Sequence, residues 1–314
     1  MYGSKKKNRN SLLNRCATFE SLESRRVFAG NVIVAYNPGN GSTVLTGDAQ
    51  SNAVSVSPVA GGIRIQGRLG TTVNGAAALV LPAGILGNVA VNLQAGNDSI
   101  SVTDIYMASF NLQETSGADN VNLDRVRVGN NVVINTQTDN DIVKVNGLFQ
   151  GNVAINSGTQ DDQVTVSGKI GVLFVGAGGQ LDENYVFGGA LGGNKNLTIN
   201  TGLGNDRVTL LSLDVDGIAL INTGDGNDTF RSQTVRVADQ MRLKTLGGAD
   251  RAFFLATASP IISVDMGADN DQVHVDAFTL ANVGVFTLDG GLGNDLLDRG
   301  GLLGGFPVNF EILI

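Results

Sequence analysis

The sequence predicts an all-β fold: a single-stranded parallel β-helix with three sides and about 22 residues per coil. Three observations carry this. An acidic or amide residue recurs at Asp98, Asp119, Asp141, Asp162, Asn184, Asp206, Asp228, Asp250, Asp271 and Asp295, in steps of 21 or 22 residues and a last step of 24. Apolar columns keep the same register on both sides of this anchor. The composition favours short strands and turns: Gly is 43 of 314 residues, Pro only 5, Trp is absent and charged residues are 16%.

The first strand of each coil lies before the anchor. Val89, Phe110, Val132, Val153, Leu197, Ala219, Met241, Ile262 and Phe286 stand nine residues ahead of it, and Val91, Leu112, Ile134, Ile155, Ile199, Ile221, Leu243, Val264 and Leu288 seven ahead. A polar column runs six ahead through Asn92, Gln113, Asn135, Asn156, Asn200 and Asn222. Such alternation is a strand with one buried face. Apolar pairs two and four residues after the anchor, such as Val208 and Leu210, give a second strand. The variable return often holds a third short apolar pair. One coil cannot bury its apolar face alone, but stacked coils can, each strand pairing with its copy one coil away. At about 4.8 Å per coil, ten coils make a rod of roughly 50 Å.

The chain divides into a basic leader at 1–30, an N-terminal cap and leading coils at 31–88, the regular solenoid at 89–299 and a C-terminal cap strand at 300–314. In the leading part the pattern continues faintly around Asn52 and Asn74. Around Asn184, glycines stand where strands want side chains, which signals a bulge or loop. The terminal "FPVNFEILI" reads as a last strand that needs shielding.

Net charge is −8, although residues 1–30 hold seven basic side chains against two acidic ones. The acidic body argues against nucleic acid as a partner. Cys16 and His274 are the only residues of their kinds, so neither a disulfide nor a Cys/His metal cluster has material. No apolar run approaches the length of a membrane span.

The leader "FESLESRRVFAG", residues 19–30, resembles the LEPR-XLL-type N-terminal motif of planctomycete proteins. Phe19, Glu20, Leu22, Glu23, Arg25 and Ala29 match; Ser24 replaces the usual Pro, and Val27 and Phe28 replace the Leu pair. The resemblance implies secretion or display at the cell surface, with an unspecified surface or extracellular-matrix partner.

The anchor turn resembles the calcium-binding nonapeptide of RTX proteins, G-G-x-G-x-D-x-φ-x. Gly290, Gly291, Gly293, Asp295 and Leu297 match it, and "TGLGNDRVT" and "TGDGNDTFR" match apart from their first residue. The resemblance implies Ca²⁺ as a cofactor, held by Asp98, Asp206, Asp228, Asp271 and Asp295. The period departs from that family, which uses eighteen residues and two such turns per coil. A second reading stands beside it: Asp and Asn favour tight turns and bond their own backbone, and the Asn column directly before the anchor can stack as an amide ladder. The preference for Asp over Asn at the anchor, despite repulsion between stacked carboxylates, points to a bound cation or to side chains splayed into water.

Catalysis has less support. Carboxylates pair in sequence at Asp161 and Asp162, at Asp269 and Asp271, and at Asp295 and Asp298; Asp276 lies near His274. Yet the near-constant period leaves no long loops to wall a cleft, and strand alternation makes His274 an outward rung residue. A Thr/Ser column five before the anchor (Thr136, Ser157, Thr201, Thr223, Thr245) is a single file suited to bonding within the stack. The sequence therefore reads as a secreted or cell-surface structural or adhesion solenoid and not an enzyme. The alternative is a β-helical polysaccharide lyase or hydrolase.

Overall fold

The computed structural model describes residues 30–171, 195–300, 306–307 and 311–313. Residues 1–29 of the predicted leader and the predicted rung at Asn184 lie outside them. The described chain forms a parallel β-solenoid. On its first side the strands Val132–Asn135, Val153–Asn156, Leu197–Asn200, Ile218–Asn222 and Gln240–Lys244 pair in parallel, one coil after another. Partners fall in the columns read from the sequence: Val132 faces Val153, which faces Leu197, then Ala219, then Met241. The second strands stack the same way, with Val121, Val143, Val164, Val208 and Phe230 in one file.

Two corners are set by backbone conformation. Between the first and second strands lies the Gly-Asn-Asp turn. Six residues after the anchor, Asp104, Arg125, Ser212, Thr234 and Ala256 all adopt left-handed φ, from 48° to 56°. That kink bends the second strand onto a third side, where the return pairs Val126 and Val128, Leu213 and Val215, and Val235 and Val237 are buried. The coil at Asp141 saves one residue at this corner. There Gly147 pairs with Val126 across a register shift, and a Cβ on Gly147 would sit 2.3 Å from the Val126 carbonyl oxygen. That coil is thereby 21 residues long without moving the core columns.

The interior is filled by these apolar files and by Phe110, Phe149, Phe230 and Phe254, all fully buried. Rings on neighbouring coils touch: the centroids of Phe230 and Phe254 are 5.5 Å apart, and Phe254 meets Phe286 edge-on at 5.8 Å. Each buried Val, Leu or Phe contributes about 1.5–3 kcal/mol by leaving water.

Two predicted rungs are corrected. The strand Gln163–Ile170 pairs directly with Arg207–Val215, and Val153–Asn156 directly with Leu197–Asn200. The coil of Asp162 therefore stacks directly on that of Asp206. At the start, Ala53 faces Ser99 and Thr43 faces Val89, so Asn52 is the anchor of the first coil. Asn74 anchors nothing. Its side chain accepts from the Val34 N–H at 2.8 Å and donates to the Val34 carbonyl, bracing the opening strand Asn31–Tyr36. The residues between Asn52 and Val89 form antiparallel excursions: Ala53–Val59 with Gly62–Gly67, and Gly62–Gly67 with Ala78–Leu81.

Both ends close with antiparallel strands. Asn31–Tyr36 runs against Thr43–Thr46 at the start. At the end Glu311–Leu313 runs against Val283–Asp289, and Phe306–Pro307 against Leu296–Asp298. The 24-residue final step accommodates a short helix, Ala277–Ala281, capped by Asp276, whose Oδ1 accepts from the Thr279 N–H and whose Oδ2 accepts from the Ala256 N–H, both at 2.8 Å. Among the described residues no helix is long and apolar enough to cross a membrane.

Candidate functional site: an aspartate ladder at the Gly-Asn-Asp corner

The corner's glycines have a local cause. Positions four and two before the anchor take positive φ in nearly every coil, as at Gly202 (95°), Gly204 (137°), Gly224 (95°) and Gly226 (140°). At most positions where the sequence departs from glycine the backbone keeps its shape: Gln137 is at 72°, Asp139 at 76°, Gln160 at 79° and Asp269 at 83°, with Thr115 an exception. Stacking adds a second reason, because a Cβ on Gly226 would stand 1.7 Å from the Gly204 carbonyl oxygen one coil away.

This backbone leaves the anchor's N–H without a carbonyl opposite it, and the next coil's aspartate supplies the acceptor. The N–H groups of Asn52, Asp98, Asp119, Asp141, Asp162, Asp206, Asp228, Asp250 and Asp271 each donate to the Oδ1 of the next anchor, at 2.6–3.0 Å. One residue earlier the direction reverses. The Ala118, Asp161, Asn227, Ala249 and Asn294 N–H groups donate back to the side-chain oxygens of Asn97, Asn140, Asn205, Asn227 and Asn270. Successive coils are thus fastened by opposed bonds at adjacent positions. The Asn column beside the anchor was expected to form an amide ladder. That ladder lies instead six residues before the anchor, where Asn135, Asn156, Asn200 and Asn222 each donate to the preceding side-chain amide at 2.8–3.1 Å.

The aspartates of this file, Asp98, Asp206, Asp228, Asp271 and Asp295 among them, point inward and are 0–3% exposed. This overturns the expectation that they splay into water. The Oδ2 of every one has no hydrogen-bond partner. Burial pushes the carboxyls up, to about 7 for Asp98, Asp162, Asp228 and Asp271, about 8 for Asp119 and about 6 for Asp141; Asp206 and Asp250 are raised too. The N–H donated by the preceding coil pulls the other way without cancelling it. The Thr/Ser column lies beside these carboxyls and is fully buried. Three of its hydroxyls give their protons along the stack, Thr136 to the Ser157 carbonyl at 3.3 Å, Thr201 to the Thr223 carbonyl at 2.9 Å and Thr245 to the Met266 carbonyl, while the Ser157 and Thr223 hydroxyls have no partner. A protonated Oδ2 can therefore use the hydroxyl oxygen as its acceptor. Glu114, the same column's member at the Asp119 coil, accepts from the Leu93 N–H at 2.8 Å and is raised by burial to about 8.

Calcium takes six to eight oxygen ligands. The file offers one free inward oxygen per coil, its partner oxygen being committed to an N–H. Among the described residues no three His, Cys, Asp or Glu side chains group together as a metal site. This donor set does not fit a calcium ion of the RTX kind.

The carboxylates paired in sequence separate in space. Asp162 faces inward while Asp161 is exposed and accepts from the Asn205 N–H. Asp271 is buried while Asp269 accepts from the Gly248 N–H in the turn, and Asp295 is buried while Asp298 stands outside. His274 is an outward rung residue, with Nδ1 2.8 Å from Asp298 Oδ2. Comparison with family models, curated proteins and solved structures gave no match, so the assignment rests on this chain's own geometry.

Proposed function

We propose that this chain is a structural rod that works outside the cell, as a spacer, coat component or adhesion module, and is not an enzyme. The observation that carries the reading is the unbroken side-chain ladder. It fastens every described coil to the next and gives the anchor aspartates a structural role in place of a catalytic one. The separation of the paired carboxylates onto opposite faces supports it, as does the run of coils from Asp206 to Asp295, whose near-constant length raises no walls around a cleft among these described residues. The resemblance of residues 19–30 to the leader of exported proteins supports the location. Cohesion in this reading comes from hydrogen bonds and core packing and does not call on calcium.

The test has two arms. Cells that make the protein are fractionated, and intact cells are treated with protease. Recovery in the envelope or medium, with digestion on intact cells, is the expected result; retention in the cytoplasm overturns the location. Purified protein is then incubated with a panel of neutral and acidic polysaccharides. Release of new reducing ends or unsaturated products overturns the non-enzymatic assignment.

A further inference from the structure

The second side of the solenoid carries a basic patch on an otherwise acidic protein. Its outward residues on three successive coils are Arg207, Thr209 and Leu211; Thr229, Arg231 and Gln233; and Arg251, Phe253 and Leu255. None of the nine is acidic, although the chain's net charge is −8. All three arginines are exposed, and none makes an ion pair among the described residues; Arg231 donates to the Gln233 Oε1 at 2.9 Å. Register fixes their spacing. Arg207 and Arg251 share a column with Thr229 between them, which sets them about 10 Å apart, and Arg231 lies on the middle coil about 7 Å along the strand. Phe253 is half-buried and follows Arg231 in its column, with the His274 ring beyond it at 6.2 Å.

We infer that this face binds an acidic polysaccharide, with Arg207, Arg231 and Arg251 pairing with carboxylates spaced along the chain and Phe253 offering its ring to a sugar face. Guanidinium forks suit planar carboxylates, and an aromatic beside them suits the apolar face of a pyranose. Their wide spacing matches a polyanion of low charge density. A DNA duplex carries one charge per about 1.7 Å, far denser than the spacing of these arginines. The acidic corner of a second copy fits less well, because Asp139, Asp161 and Asp269 already accept from backbone N–H groups of neighbouring coils. The flat sheet admits an extended chain without a groove.

The inference names the surface by which the proposed rod would attach. It rests on that reading only for its biological setting, since the test uses purified protein and no cell. Affinity electrophoresis is run through gels containing polygalacturonate, dextran or single-stranded DNA, at low and at high salt. The expected result is retardation by polygalacturonate alone, abolished by salt and weakened at least tenfold in the R207Q/R231Q/R251Q variant. F253A should weaken it several-fold while leaving its salt dependence unchanged. Retardation that survives in the triple variant overturns the inference, and so does equal retardation by DNA. Sedimentation of the free protein as an oligomer that the triple variant dissolves would assign the face to a second copy instead.

Discussion

Replacing Asp228 by Ala and, separately, by Asn isolates the two things its carboxyl does. Its Oδ1 accepts from the Asp206 N–H at 2.8 Å, and its Oδ2 is a buried oxygen with no partner. Alanine removes the acceptor and leaves a buried N–H unpaired, at a cost of about 1–3 kcal/mol. Asparagine keeps the acceptor and removes the titration. Burial raises this carboxyl from 3.8 to about 7 in the folded chain. Between these values the folded state binds more protons than the unfolded one, so the acid's stabilising contribution is complete below about pH 4 and is lost as pH rises through 7. A shift of about three units is worth up to about 4 kcal/mol, and nearer half that once the surroundings screen the charge. D228N should therefore match the wild type near pH 4 and exceed it by about 2–4 kcal/mol at pH 8, while D228A falls below the wild type at pH 4. Urea denaturation followed by circular dichroism at both pH values measures this. An advantage of D228N that is absent at pH 8, or that shrinks as pH rises, would refute the reasoning. Seven other ladder aspartates are raised in the same sense, so the wild type itself should lose stability from about pH 4 to pH 8.

The remaining predictions concern calcium and packing. Thermal unfolding should give the same midpoint in millimolar Ca²⁺ and in excess chelator; a drop of several degrees with chelator would show that the folded chain holds the ion. G226A forces a side chain onto a residue at φ 140° and against the Gly204 carbonyl oxygen, whereas a Cβ on Gly129 meets nothing closer than 3.6 Å. G226A should lower the denaturation midpoint clearly and G129A hardly at all, and equal effects would count against the stacking argument. F254A empties a fully buried site between the rings of Phe230 and Phe286. It should cost about 3–5 kcal/mol in the same denaturation assay, and a loss below about 1 kcal/mol would mean that the core is not closed there.

Much of this was legible because a solenoid repeats its local pattern. The apolar columns nine and seven before the anchor, and two and four after it, are the buried columns of the structure. The inward aim of the aspartates was also there to be read. Residues two apart on a strand share a face, so Asp206 must point the way Val208 and Leu210 do, into the core. By the same parity Thr201 joins Leu197 and Ile199 inside, and Asn200 points outward into the amide ladder. What misled was arithmetic on spacing. Asp162 and Asp206 are 44 residues apart and Asn52 and Asp98 are 46 apart, each close to two periods. A missing coil is invisible to a count when the intervening chain happens to be one coil long. Asn184 and Asn74 fell where that count required an anchor, but Asn74 braces the first strand, and strand pairing joins Asp162's coil straight to Asp206's. The basic patch escaped notice because its arginines lie 20 to 24 residues apart and gather only when the coils stack.

The opposed fastenings and the antiparallel ends together make the molecule a ruler. Every internal coil gives an N–H to the coil after it and an Oδ1 to the coil before it, so it presents the same two faces to whatever stacks on it. A tandem copy of residues 207–228 would meet compatible neighbours on both sides and lengthen the rod by one rise, about 4.8 Å. The end strands, running the other way, do not offer that matched face and stop the count. The reach of the rod is then a whole number of coils, adjustable by duplication without redesign of its ends.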